Sequence, residues 1–313
     1  MPTTTTLDLD PANIAAAVDV IDPVFLNSPQ YVDPMLAEAL GRSVLLKVET
    51  ANPLRSFKGR GGELLLHRLE SEGRSADRLV CASTGNFGQA IAYAGRRRGK
   101  HVTVFVPSDV NPTKRERMIR LGAEVVRTDG DGDDAGDAAR AFAAERDDLL
   151  LIEDGHETAV AEGAGTIGIE LLRDPVDTIV VPVGDGALIT GIGCWVKAHA
   201  PDVRLIGVCA AGAPSMALSW RSGAPVPTES ADTIAEGIAV RDPVPTSVPR
   251  MRAVVDDMVL VDDADLVAAM DLASSCVGIA LEPSGAAGLA ALALHDIPGH
   301  RVATVLTGAN PRP

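Results

Sequence analysis

An α/β fold, built as an open and mostly parallel sheet covered by helices on both faces, is the architecture this sequence predicts, and three observations carry it. Short β-branched runs alternate with alanine-rich stretches of helical period along nearly the whole chain, the pattern of strands that are each followed by a crossover helix. The 313 residues are 46% hydrophobic, enough for one large core or two modest ones and far from the composition of a disordered chain. No apolar run reaches the length needed to span a bilayer, so no membrane partner is expected.

In chain order the predicted strands are residues 44–48, 79–82, 101–106, 124–127, 149–152, 178–183, 204–209, 258–261 and 302–307. Between them lie predicted helices at 59–72, 89–98, 112–121, 135–145, 157–172, 188–200, 263–276 and 284–294. The stretch 128–136, TDGDGDDAG, resembles a calcium loop but lacks a glutamate at the twelfth position and sits between a strand and a helix. It reads as a solvated turn opening onto an acidic helix start. Residues 223–252 are rich in Pro and Ser with little periodicity, which predicts a long surface excursion. No internal repeat is present.

A formal net charge of -15 argues against a nucleic-acid partner, because a phosphate-binding surface needs clustered Lys and Arg. The four cysteines, Cys81, Cys194, Cys209 and Cys276, are widely separated and form no CxxC pair, so neither a zinc site nor a disulfide framework is expected. The first ten residues are polar and threonine-rich, unlike a secretory leader, and a cytoplasmic protein is the expectation. Lysine is scarce, at five positions (47, 58, 100, 114 and 197), which narrows the candidates for lysine chemistry.

Three segments point to chemistry. In NPLRSFKGRGG, Lys58 follows a strand and opens a helix. There the helix dipole repels a cation, which makes a poor place for a merely exposed lysine and favours the neutral amine that imine formation needs. In STGNFGQ, Ser83, Thr84, Gly85 and Gln89 surround a strand-to-helix turn whose hydroxyls and amides make a cradle for a carboxylate, or an ordinary capped turn. In VGDGALITGIG, glycines after an apolar strand let several N–H groups converge on a phosphate. A dinucleotide fingerprint would need glycine where Ile189 stands, and the loop comes past the chain midpoint. A lysine, a carboxylate cradle and a phosphate cradle together describe a site for a phosphorylated aldehyde cofactor and an amino acid.

The order and wording of these motifs resemble the fold-type-II pyridoxal-phosphate enzymes, the tryptophan-synthase-beta-like superfamily, and within it the threonine/serine dehydratases and serine racemases. The segments RSFKGRG, ASTGNFGQAIAYA, VPSDVNPTKRERMIRLGAEVV, EGAGTIGIELL, VVPVGDGALITGIG, TIAEGIAV, LEPSGAAGLAAL and VLTGAN carry the resemblance from about residue 23 to 310. It implies two sheets, with a small mobile domain at 56–148 inserted in a larger cofactor-binding domain formed by 1–55 and 149–313, and a homodimer. It implies pyridoxal 5'-phosphate held by Lys58 as a Schiff base, with the same lysine moving the substrate proton. Phe57 would pack on the ring, Asn86 would reach its phenolic oxygen, and Gly184, Asp185, Gly186, Ala187 and Leu188 would hold the phosphate. Thr307 would face the pyridine nitrogen, while Ser83, Thr84, Gly85 and Gln89 would hold the substrate carboxylate. Thr84 also takes the place of a serine that protonates the opposite face in serine racemases.

Departures accompany the likeness. Asp185 stands where glycine is usual and is expected to point away from the phosphate or to weaken its binding. Phe87 replaces a common histidine, and Cys209 and Ser215 replace metal-binding carboxylates of related racemases, so no metal site is expected. Glu282 is placed either near the cofactor or as a helix-start carboxylate. With the sequence ending six residues after Thr307, no regulatory domain is expected. The leading expectation is a lyase that eliminates the β-hydroxyl of threonine or serine to give a 2-oxo acid and ammonia. The alternatives are β-replacement, as in cysteine, diaminopropionate or threonine synthases, and a non-catalytic amino-acid-binding protein.

Overall fold

The structure, a computed structural model, describes residues 7–312. Its strands are β1 Gln30–Val32, β2 Val44–Val48, β3 Arg78–Ala82, β4 His101–Val106, β5 Glu124–Arg127, β6 Leu149–Ile152, β7 Thr178–Pro182, β8 Arg204–Ala210, β9 Asp257–Val261 and β10 Val302–Leu306. Its helices are α1 Pro11–Ala17, α2 Pro34–Leu40, α3 Lys58–Ser71, α4 Asn86–Arg97, α5 Pro112–Arg120, α6 Gly132–Ala144, α7 Thr158–Leu171, α8 Ala187–His199, α9 Ser215–Ser222, α10 Ser247–Val254, α11 Asp263–Leu272 and α12 Pro283–Leu294.

The strands form two sheets, one ordered β1-β2-β10-β7-β8-β9 and the other β5-β4-β3-β6. Every pairing is parallel except the short edge strand β1 against β2. Alternation along the strands shows how the larger sheet is covered. Ile179 and Val181 of β7 with Ala303 and Val305 of β10 face α7, α8 and α10, whereas Val180, Val302 and Leu306 face α11 and α12. In the smaller sheet Leu79 and Cys81 pack toward α3 and α4, and Val80 with Phe105 toward Ala135 and Ala139 of α6.

All the predicted strands and helices form, with two shifts that matter. Helices α4 and α6 begin three residues earlier than predicted, which puts Asn86 and Asp133 in first turns. Strand β6 pairs with β3. Residues 149–152, just past the expected division at 148, thus form an edge strand of the four-stranded sheet. The short helices α1, α2, α9 and α10 are unpredicted. Of these, α1 and α2 have seven residues and are each opened by an aspartate cap followed by proline, and α10 forms within the stretch 223–252 expected to be a surface excursion with little period. The acidic stretch around residue 131 is such a helix start too: Asp131 and Asp134 make a reciprocal capping box on α6.

Helices α3 and α7 approach closely because glycines face each other. A Cβ on Gly163 would lie 2.6 Å from the carbonyl oxygen of Arg60, and one on Gly61 would lie 2.8 Å from that of Val160. This contact holds the helix that begins with Lys58 against the larger unit.

Cys81, Cys194 and Cys209 are buried, and burial pushes each thiol up to about 12. Cys276 is only half-buried. A thiol reagent at neutral pH is therefore expected to modify Cys276 alone in the native protein and all four cysteines after denaturation, read by mass spectrometry. Fast native labelling of a second cysteine would contradict this burial.

Candidate active site

A cavity of about 330 Å³ lies between the two sheets, at the C-terminal ends of their strands. Four helices point their first turns at it: α3, α4, α8 and α12 begin at Lys58, Asn86, Ala187 and Pro283, and none is capped by a side chain at its N-cap position. The leading N–H groups of a helix have no acceptor within it, so the cavity is rich in donors and in positive dipole ends.

Lys58 is fixed from both sides. Phe57 N–H donates to the carbonyl of Thr307 at 3.2 Å and Ser56 bridges Gly308, which ties the start of α3 to the end of β10. At the tip, Lys58 Nζ donates to Asp154 Oδ2. The rings of Phe57 and Phe87 stand 5.2 and 5.5 Å from that nitrogen and close the cavity with apolar surface.

The other predicted residues divide into those that reach the cavity and those that support it. Asn86 lines it, donating from Nδ2 to Glu282 Oε1 at 2.5 Å and accepting at Oδ1 from Asn310 at 3.0 Å. Ser83 lines it as well, and its Oγ accepts from the N–H groups of Gly85 and Gly88, both at 2.9 Å. Thr84 faces the start of α6, since a Cβ on Gly132 would lie 3.1 Å from its methyl group. Thr307 lines the floor, its hydroxyl donating to the carbonyl of Ser284 at 3.4 Å. Gln89 and Gly85 are not among the lining residues. Gln89 is fully buried behind the wall, its amide donating to Asn86 Oδ1 at 3.3 Å and its carbonyl accepting from Arg117 at 2.8 Å.

Gly184, Asp185, Gly186, Ala187 and Leu188 form the opposite wall. A Cβ on Gly184 would come within 2.7 Å of the Gly237 carbonyl, and Gly186 has φ +93, so the loop keeps its shape only with glycine there. Asp185, expected either to point away from a phosphate or to weaken its binding, lines the cavity, and Gly155 leaves room for it: a Cβ there would sit 3.0 Å from the Cβ of Asp185. Burial, with the Asp154 charge beside it, pushes the Asp185 carboxyl up to about 7, against the opposing pull of Lys58. The expected conflict with a phosphate is thereby reduced, since much of this group is neutral near neutral pH.

Several cavity residues carried no sequence prediction. Asp154 follows β6 in an ordinary-looking Asp-Gly turn. Lys114 is buried in the first turn of α5 and pairs with Glu282 at 3.1 Å and Glu236 at 3.3 Å. A lysine at a helix start was the signal used for Lys58, and it would have found Lys114 as well. Glu282, which the sequence placed either near the cofactor or as a helix-start carboxylate, stands at the start of α12 and lines the cavity, and it also takes a hydrogen bond from Ser284 at 3.2 Å. Residues 231–241 are no outward excursion. Their 3-10 turn Glu236–Ile238 and the following Arg241 line the cavity, with Ile238 and Val240 buried beneath. Arg241 crosses to Asp131 at 2.6 Å and Asp133 at 3.5 Å. Cys209 and Ser215 are buried away from the cavity, Ser215 donating to the Val240 carbonyl at 2.5 Å.

Residues 26–308 match the family model described as pyridoxal-phosphate dependent enzyme. The chain belongs to that family. Among curated relatives it is 33% identical to an L-threonine ammonia-lyase of Thermotoga maritima over 279 residues, 88% of this chain and 69% of that one. Among solved structures it superposes on a threonine deaminase of T.th. with TM-score 0.89 and 30% identity, covering 96% of this chain and 98% of that one. It also superposes on maize serine racemase with TM-score 0.89 and 27% identity, covering 96% and 94%.

The cofactor of this pyridoxal-phosphate dependent enzyme is an aldehyde bearing a phosphate, and the donor set fits it. A lysine amine faces the cavity, an uncapped glycine-bounded helix start offers amides suited to a phosphate, and a neutral hydroxyl sits at the end of β10.

Proposed function

We propose that this enzyme removes the β-hydroxyl and then the amino group of a small hydroxy amino acid such as threonine or serine, leaving a 2-oxo acid and ammonia. The observation that carries the reading is that a cavity-facing Lys58 shares the cavity with a neutral hydroxyl, Thr307, at the end of β10. Pyridoxal phosphate supplies, when bound, an aldehyde that condenses with amines and a conjugated ring that accepts the electron pair released at the α-carbon.

In this reading Lys58 is the covalent anchor, and its freed amine takes the α-proton. The amides at the start of α4, with the Thr84 hydroxyl, hold the substrate carboxylate, and those of Gly184 through Leu188 hold the phosphate. Asn86, steadied by Glu282 and Asn310, presents its amide beside the lysine. Because Thr307 carries no charge, it does not keep a proton on a ring nitrogen facing it, which weakens the electron sink and favours prompt loss of a β-leaving group. Phe57 and Phe87 keep water from the α-carbon. The same reading includes a closing motion of the smaller unit, tied across the cavity by Arg241 to Asp131 and by Arg312 to the Asp109 carbonyl at 2.7 Å. It also includes a homodimer working in the cytoplasm.

Purified holoenzyme given threonine or serine is expected to release 2-oxo acid and ammonia in equal amounts, read by mass spectrometry and an ammonia assay. A β-substituted amino acid formed with an added thiol or amine, and no 2-oxo acid, would replace this reading with β-replacement. Neither product from a panel of hydroxy amino acids would defeat it.

A further inference from the structure

We propose that Asp185 is the acid that protonates the β-hydroxyl as it leaves, and that Asp154 carries the proton taken up by Lys58 back to it. The inference rests on the elimination reading above. A hydroxyl is a poor leaving group unless its oxygen receives a proton as the C–O bond breaks, so the cavity must hold a donor other than the base.

The carboxyl groups on the cavity wall are nearly all engaged. Asp131 and Asp133 pair with Arg241, Glu236 with Lys114 and Arg312, Glu282 with Asn86 and Lys114, Asp109 with Arg312, and Asp154 with Lys58. Among the described residues Asp185 alone of these makes no ion pair or hydrogen bond, while lining the cavity in the loop that opens α8. Its Cβ packs over the Asp154–Gly155 turn. Asp154 holds Lys58 with one oxygen, and its other oxygen is buried without a hydrogen-bond partner, a place for a proton in transit.

The charged groups facing Asp185 are Asp154 from the loop after β6, Lys58 from α3 and Asp133 from α6. Burial and the two carboxylates favour its protonated form, Lys58 opposes them, and the carboxyl lies at about 7. A further anion on the amides of the same loop would favour the protonated form still more.

The proton count closes. Lys58 takes the α-proton, and the electron pair of that C–H bond becomes the second bond between the α- and β-carbons. The C–O bond breaks with its pair on oxygen, which takes the proton of Asp185 and departs as water. Lys58, now an ammonium, passes its proton through Asp154 to Asp185, and all three groups return to their starting states.

The test uses holoenzyme and two substrates, serine, whose hydroxyl needs a proton, and β-chloroalanine, whose chloride leaves without one. Asp185→Asn is expected to lower kcat/KM for serine by about a hundredfold more than for β-chloroalanine, so that the ratio of the two, whatever loss they share through the phosphate loop, reads the missing proton. The wild type should lose activity on serine, but not on β-chloroalanine, as pH rises above about 7, because the donor must be protonated to act and the phosphate held by the same loop raises its carboxyl further. An infrared carbonyl band of a protonated carboxyl should fade over the same range and be missing from the variant. Asp185→Ala serves as a second variant should the first fold poorly. If wild type releases no 2-oxo acid from serine or threonine, the elimination reading itself fails. If it does so and both variants lose the two substrates in parallel, or the infrared band survives the substitution, the role assigned to Asp185 is wrong.

Discussion

Lys58→Ala is expected to lower the rate of 2-oxo acid release by about ten-thousandfold or more, because in the proposed function one substitution removes both the covalent anchor and the α-proton base. The protein should nonetheless stay folded. Lys58 sits at a helix start where a cation is electrostatically disfavoured, and the backbone that positions it is held independently through Phe57 N–H to the Thr307 carbonyl. The substitution does strip Asp154 of its partner beside Asp185, so a modest loss of thermal stability should accompany it. The visible absorbance of the lysine-bound cofactor should vanish, and cofactor should be lost on dialysis. Lys58→Arg keeps a cation beside Asp154 but offers no nucleophilic amine, and it should be equally inactive with stability closer to wild type. Appreciable turnover by either variant would move the base to another residue, Lys114 being the other lysine on the cavity wall.

Much of the fold was legible because parallel strands buried on both faces and alanine-rich helices leave strong periodic signals. What escaped was short or irregular. The strand β1 has three residues, α1 and α2 have seven each, and α9 and α10 have eight each, too few for a period to show. The sign of α1 and α2 was local, an aspartate before a proline, the chemistry that also starts α6 without the proline. Residues 231–241 carry no period because their backbone follows the cavity wall, and their inward packing depends on partners distant in sequence, such as Asp131 for Arg241.

For the site, most predicted residues with glycine or helix-start signatures are where the cavity is, Gly85 at the start of α4 being the exception. Lys58, Asn86 and the loop from Gly184 to Leu188 all line it. Gln89 could not be separated from its neighbours in STGNFGQ by wording alone, since its exclusion follows from the pitch of α4, which turns it inward toward Arg117. Asp154 and Asp185 lie thirty-one positions apart on different strand ends, and only the way the two sheets meet brings both beside Lys58. The departure at Asp185 was visible in the sequence, but its meaning depended on Gly155, whose missing side chain makes the room.

Arg60→Met is expected to be the most damaging substitution away from the cavity, costing about 3–5 kcal/mol of stability. Arg60 is fully buried two residues beyond Lys58, and its guanidinium makes paired hydrogen bonds to Glu49, at 2.9 and 2.7 Å, and to Glu170, at 2.7 and 2.9 Å. Lys47 adds a contact of 2.5 Å to Glu170, so two cations balance two carboxylates with little access to water. Removing Arg60 leaves a net negative charge in the interior at the junction of β2, α3 and α7. Burial alone would raise the Glu170 carboxyl, but Arg60, with help from Lys47, holds it down to about 2, below its usual 4.5. A depressed carboxylate contributes stability that is complete above 4.5 and is lost as pH falls toward 2. Without Arg60 the carboxylates can shed their charge by taking protons, so the deficit of the variant should be large at pH 7 and should shrink near pH 4. Urea unfolding at the two pH values reads this directly, and a deficit equal at both would mean that lost packing, not unbalanced charge, is the cause. Arg60→Lys keeps the charge but cannot bond both carboxylates in pairs, and it should fall between the two.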